Sequence, residues 1–321
     1  MKKQVFSGLI ALLAGGSALA DVTVFGFLEA QVGRETQASR ATKLYDMGGS
    51  RLGFKGDEDL GGGLKASFYL EHRLDPTTGT DASCGPAGCT FWKGGSWVGL
   101  SSATAGSVKL GRWWSQAFLK SQYAADPFGI GTLGEASYPT VGCGPQFRGG
   151  CLGAFWVNNS VSYENSFGPV NVGVQYSVES VNGNKHPANF GVSYSDGPLY
   201  VGAGYEVSND GSKDENWASF AANYDFGVAK LYAGYGTGQD AAKVKRKNTI
   251  VGFTAPVGPG QVIGSYDVQD QASVRVQNLF SLGYKYFLSK RTNVFAVVAS
   301  DNKAPAGTNK SGYALGMFHS F

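Results

Sequence analysis

The residue types that do bond chemistry are scarce in this chain. His72, His186 and His319 are its three histidines. None has a visible partner of the kind that activates a nucleophile or relays a proton. His72 and His319 share parity with apolar neighbours, and His186 sits directly before Pro187. The four cysteines fall in two local pairs, Cys84 with Cys89 and Cys143 with Cys151, and a Gly-Pro step follows the first member of each. A zinc centre needs tighter cysteine spacing and nearby histidines, so no metal site is expected. Four cysteines allow three disulfide connectivities. The Gly-Pro turns favour the local pairs 84–89 and 143–151, whereas cross-pairing would tie one loop to the other. Gly61-Gly62-Gly63 joins two alternating segments rather than a strand and a helix, so it reads as a hairpin turn and not a phosphate loop. No catalytic residue and no cofactor is expected.

What remains is charge, and the chain holds little of it. Charged residues are 16%, below the quarter usual in soluble domains, which argues against a helical bundle or coiled coil. The formal net charge of +3 is too small for a nucleic-acid binder. Mean hydropathy is −0.14, and beyond the N-terminus no run approaches the roughly 20 apolar residues of a spanning helix. The first residues are not fold. Met1-Lys2-Lys3, the apolar run Val5 to Ala14, and Ala18-Leu19-Ala20 before Asp21 read as a cleaved secretory signal peptide over 1–20. The mature part, 21–321, is then near neutral and meets an oxidising compartment where cysteines pair.

The mature chain alternates. Val170, Val172, Val174, Tyr176 and Val178 share one parity, and Asn171, Gly173, Gln175 and Ser177 the other. Side chains alternate across a strand, so one face is apolar and the other small or polar. Leu199 to Val207, Phe280 to Leu288 and Tyr313 to Phe321 repeat the pattern. Seven short Gly, Pro, Asp or Ser turns are read at 61–63, 103–106, 167–169, 196–198, 226–228, 257–260 and 288–291. Eight longer polar connections are read near 36–49, 76–92, 115–157, 179–188, 208–216, 237–247, 269–277 and 301–310. These predict an all-β, sixteen-stranded antiparallel transmembrane barrel, with both termini at the short-turn end. An even strand count lets the sheet close and removes its edges. Phe25, Phe27, Phe68, Tyr163, Tyr194, Tyr224, Phe226, Tyr286, Phe318 and Phe321 crowd the strand ends, as an interfacial aromatic belt would.

Several short motifs lie in order along this pattern. They are Val24-Phe25-Gly26, Ser50-Arg51-Leu52-Gly53-Phe54-Lys55-Gly56 with Glu58-Asp59-Leu60-Gly61, Val98-Gly99-Leu100, Leu110-Gly111-Arg112, and the terminal Phe321. With the leader they make the chain resemble a Gram-negative general porin of the neisserial and betaproteobacterial type. The resemblance implies an outer-membrane homotrimer that passes ions and small hydrophilic solutes by diffusion. It implies contact with membrane lipid and lipopolysaccharide, and a terminal Phe321 read by the barrel-assembly machinery. It also implies that the third long loop folds inward to narrow the pore.

That loop, near 115–157, is the longest connection on spacing alone and carries Asp126, Glu135 and Arg148. Arg51 and Lys55 fall opposite in parity to Leu52 and Phe54, so both face the lumen. Lys65, Tyr69, Glu71 and Arg73 do the same on the next strand. A basic wall of Arg51, Lys55, Arg73 and Lys93 is expected to face the acidic Asp126 and Glu135. Opposite charges 4 Å apart at an effective dielectric near 20 attract by about 4 kcal/mol. Lys93-Gly94-Gly95-Ser96 stands where the porin type often has a second arginine, and Arg73, Lys93 or Arg148 is the expected substitute. Lys243, Lys245, Arg246 and Lys247 form a basic cluster near the sixth loop, read as a solvated loop, a lipopolysaccharide contact or a steering patch. Mild anion preference is expected. The alternatives are an outer-membrane barrel enzyme and a secreted β-sandwich adhesin.

Overall fold

The computed structural model describes residues 21–38, 41–47, 49–81, 84–85, 88–129, 132–143, 151–180, 185–209 and 214–321. The expected signal peptide over 1–20 and Arg148 lie outside these residues, as do the side chains of Cys84 and Cys89.

Sixteen strands build one sheet. The first five are β1 (Asp21–Arg34), β2 (Arg51–Gly61), β3 (Leu64–Asp75), β4 (Gly95–Ser102) and β5 (Gly106–Trp114). Then come β6 (Trp156–Phe167), β7 (Val170–Ser177), β8 (Ala188–Asp196), β9 (Leu199–Val207) and β10 (Asn216–Asp225). The wall ends with β11 (Lys230–Gln239), β12 (Lys245–Val257), β13 (Gly260–Gln271), β14 (Val274–Phe287), β15 (Thr292–Asp301) and β16 (Ser311–Ser320). Each pairs antiparallel with the next, and β16 pairs with β1 from Phe27↔Ser320 to Arg34↔Tyr313. At the seam the Phe321 N–H donates to the Gly26 carbonyl at 3.0 Å, and the Gly26 N–H donates back at 3.2 Å. The sheet is closed, so it is a barrel and not a sandwich. The short strands Lys43–Tyr45 and Thr80–Asp81 add to the loop ends of β1 and β3, and Cys84–Gly85 pairs with Gly88–Cys89.

The alternation that predicts strands also sorts the two faces. Val174, Tyr176, Val201, Tyr205, Val251, Leu282 and Leu315 point outward and are exposed. Gln175, Ser177, Glu206, Ser265 and Ser281 point inward and are buried. An exposed apolar outer wall over a polar interior is stable only where lipid replaces water outside. Outward aromatics stand at both ends: Tyr163, Tyr194, Tyr224 and Tyr286 toward the short turns, and Tyr176, Phe190, Tyr205 and Tyr313 toward the loops. Phe25, Phe27 and Phe318 depart from the expected belt and point into the lumen. Phe27 lies opposite Arg51 in register, and its ring packs on Phe318 at 4.8 Å. The lumen parity of β1 runs Asp21, Thr23, Phe25, Phe27, Glu29 and Gln31, so two aromatics interrupt an otherwise polar face.

The seven short turns fall where the spacing places them. Two of the expected long loops do not. β13 and β14 are joined by Ala272 and Ser273 alone, both at positive φ (49° and 67°). The sixth connection is only residues 240–244. Above the membrane both faces of a strand meet water, so polar residues such as Asp270 and Arg275, ion-paired at 2.6 Å, continue the ladder without alternating. For the same reason the expected loop cluster 243–247 is split by β12. Arg246 turns inward and is 3% exposed, whereas Lys245 and Lys247 turn outward.

Val251→Arg would place a guanidinium on the lipid side, midway along β12. Refolding into lipid vesicles under urea is expected to show a loss of about 2–4 kcal/mol. An unchanged midpoint would contradict a lipid-facing wall.

Candidate functional site

Residues 115–155 join β5 to β6, and the described ones, 115–129, 132–143 and 151–155, enter the barrel. They form a helical segment Phe118–Gln122, a 3₁₀ turn Tyr123–Ala125 and a helical turn Ser137–Thr140. The loop lies along the inner wall from β6 to β15. The Lys120 ammonium pairs with Glu164 of β6 at 2.6 Å. The Gln116 N–H donates to the Asn189 Oδ1 of β8 at 2.8 Å. The Gln122 amide donates to Glu206 of β9 at 2.7 Å, and the Ser121 and Ser219 hydroxyls bond at 2.7 Å. Farther along, the Trp217 indole donates to the Thr140 carbonyl at 3.0 Å, and Arg246 donates to the Gly142 carbonyl at 3.0 Å. Gln269 donates to the Cys143 carbonyl. Phe128 and Leu133 pack against inward Ile263, Leu279, Phe295, Val297 and Ala299. Cys143 and Cys151 are joined by a disulfide.

Inward glycines give the loop its seat. A methyl at Gly204 would lie 2.6 Å from the Ala117 Cα, and one at Gly252 would lie 2.7 Å from the Pro127 Cγ. The small parity of β7 to β14 is therefore a track as well as a wet face.

The wall from β1 to β5 carries the basic residues. Arg51 and Arg73 are register partners, and Glu71 stands between them. Its Oε1 lies 2.8 Å from the Arg73 Nε, and its Oε2 lies 3.5 Å from Arg51. The Tyr69 hydroxyl donates to the same Oε2. Arg51 also covers the Phe27 ring at 4.4 Å. Lys55 is exposed on the same wall, four residues toward the short turns. Lys93 lies at the rim, where its carbonyl accepts from the Arg112 Nε at 2.9 Å. Burial, and then the guanidinium groups of Arg73 and Arg112, hold its ammonium below the usual lysine range. The structure thus brings Arg51, Arg73 and Lys93 toward one rim, with Lys55 below. Glu71 was visible by parity, but its role as a bridge was not, because it depends on the cross-strand register.

The loop carboxylates lie otherwise than expected. Asp126 is 6% exposed and turned into its own loop. Its oxygens accept the Phe128 N–H at 2.9 Å and the Ala136 N–H at 2.7 Å. Glu135 is 8% exposed. A carboxylate that closes a turn of its own loop cannot also present a free face to the channel. Burial, opposed by those backbone donors, pushes the Asp126 carboxyl up to about 7.

A closed barrel with an apolar outer wall, a polar interior and an inserted loop defines a transmembrane pore. A family model described as Gram-negative porin matches residues 8–304, and the chain belongs to that family of non-enzymatic outer-membrane channels. It is 30% identical to outer membrane porin protein 32 of Delftia acidovorans, over the full length of both chains. It is 28% identical to an outer membrane porin protein of Bordetella pertussis, over 92% of this chain and 93% of that one. The solved structure of an anion-selective porin from Comamonas acidovorans superposes with a TM-score of 0.72 at 26% identity, covering 94% of this chain and 100% of that one.

Asp126 binds its proton more tightly in the docked loop than in an undocked chain, where the ordinary value is 3.8. Its contribution to docking is therefore full below about pH 4 and is lost as pH rises through about 7. Single-channel recordings are expected to show open-channel noise growing across that window, and Asp126→Asn is expected to flatten the dependence. A flat wild-type profile would remove Asp126 from the docking equilibrium.

Proposed function

We propose that the barrel passes small ions and hydrophilic solutes by diffusion, with a mild preference for anions. The observation that carries this is that Arg51 and Lys55 keep accessible side chains on the wall facing the inserted loop, where the nearest acids are buried. At the level of the inserted loop Glu29, Glu71, Asp126, Glu135, Glu206 and Asp267 are each at most 8% exposed. Arg51 keeps 15% of its side chain accessible, and Lys55 is exposed. Charges next to the water path act on permeating ions, whereas buried and internally bonded ones act weakly. Arg51 and Lys55 therefore set the sign, Arg73 supports Arg51 through the shared Glu71, and Lys93 at the rim and Arg148 on the loop are further basic candidates. The anion-selective porin from Comamonas acidovorans supports the same sign. The remaining parts of the reading are export through a signal peptide at 1–20, assembly through Phe321, a homotrimer in a lipopolysaccharide-bearing membrane, and a second local disulfide at Cys84–Cys89.

The test is the reversal potential across a salt gradient, for wild type and Arg51→Ala. A unit charge about 10 Å from the path in water is worth about 0.4 kcal/mol, which about doubles chloride and halves potassium. The chloride-to-potassium permeability ratio is expected to fall about fourfold in the variant. Cation preference, or a ratio indifferent to Arg51, would overturn the assignment.

A further inference from the structure

Four rings gather on the lumen wall, on β1, β3, β4 and β5. Phe25 meets Tyr69 at 5.1 Å between centroids, Tyr69 stacks on Trp97 at 6.0 Å and 3°, and Trp113 packs edge-on against both at 5.0 and 5.5 Å. All four belong to the lumen parity, opposite to the exposed Val24, Val98 and Leu110. Glycines lie beneath them. A methyl at Gly95 would touch the Tyr69 and Trp113 rings at 3.1 and 3.2 Å, and one at Gly53 would strike the Phe25 ring. The glycines thus let the Phe25, Tyr69 and Trp113 rings approach the backbone, and Trp113 stands at 74° and 73° to the parallel pair Tyr69 and Trp97. The Tyr69 hydroxyl, bonded to Glu71, fixes the central ring.

Cations flank the cluster. The Lys109 ammonium lies 5.2 Å from the Trp97 ring and 4.9 Å from the Trp113 ring, and it shares Glu164 with Lys120. Lys55 lies 5.5 Å from the Phe25 ring, is exposed, and has no ion-pair partner among the described residues. Four half-buried rings side by side offer a solute one contiguous apolar and aromatic surface. A free ammonium at the edge of the cluster sets the charge of the visitor.

We propose that this wall is a binding track for aromatic carboxylates, the solute's ring stacking on the Phe25, Tyr69, Trp97 and Trp113 cluster and its carboxylate pairing with Lys55. The proposal rests on the diffusion-pore reading and adds a solute class to it. An aromatic ring recognises the quadrupole of another ring, which a saturated ring of the same size lacks. Binding must stay weak enough for release, so the site slows one class of solute without sealing the pore.

The test is block of chloride current through the full-length, folded protein in a planar bilayer. The probes are sodium benzoate and sodium cyclohexanecarboxylate, alike in charge and near in size. Benzoate is expected to reach half-block at a concentration about threefold or more below the saturated acid. Trp97→Leu is expected to raise the benzoate value about three- to tenfold and to leave the other acid nearly unchanged. Lys55→Gln, at an exposed site, is expected to weaken block by both acids, and it keeps the test decisive should Trp97→Leu fail to assemble. Equal block by the two acids, or no block with normal chloride conductance, would overturn the track and leave the pore standing. Absence of chloride conductance from folded protein would overturn both.

Discussion

Every backbone N–H and C=O on the spanning wall must find a partner within the sheet, because lipid offers none. All else in this molecule follows from that constraint. It forces closure, and closure requires the last strand to meet the first in register. The Phe321–Gly26 bonds complete the ladder at the very end of the chain. A hydrogen bond left open there would expose a polar edge to hydrocarbon, at a cost of several kcal/mol per group. Closure also fixes which side chains face inward, since a one-residue slip of any strand would exchange its two faces.

Inside, the same geometry creates a second requirement. A barrel of sixteen strands is too wide for side chains alone to fill. The chain fills part of it with its own longest connection, and the cost of burying that loop's polar groups is offset by partners on the wall. Glu206, Asn189, Trp217 and Arg246 each bond a loop group, and glycines such as Gly204 and Gly252 let the backbone approach. Glu206 and Asp126 are absorbed into this docking and Glu71 into its bridge, and Arg51 and Lys55 keep accessible side chains.

The legibility of the sequence follows the period of two. Arg51, Lys55 and Arg73 could be placed on the lumen side because Leu52, Phe54, Leu70 and Leu74 mark the other face. The long inserted segment showed itself by length. Asp126 was opaque, because a loop has no period and the Ala136 N–H that turns its carboxylate inward lies ten residues away. Phe25 and Phe27 were misread as belt residues because a channel can carry rings on either face. The sign that would have placed them is Glu29 and Gln31, which share their parity. Asp270 and Arg275 concealed a hairpin, because strands that rise above the membrane lose the alternation that reveals them.

The anchorage of the inserted loop also has a consequence in time. Its partners lie far downstream in the chain: Asn189 is 73 residues beyond Gln116, Trp217 is 77 beyond Thr140, Arg246 is 104 beyond Gly142, and Gln269 is 126 beyond Cys143. Contacts of such separation form only after the intervening segments are in place. The loop is made early in synthesis, yet its resting place does not exist until β8 to β13 have been laid down. The width of the finished channel therefore depends on strands that lie far downstream of the loop that narrows it.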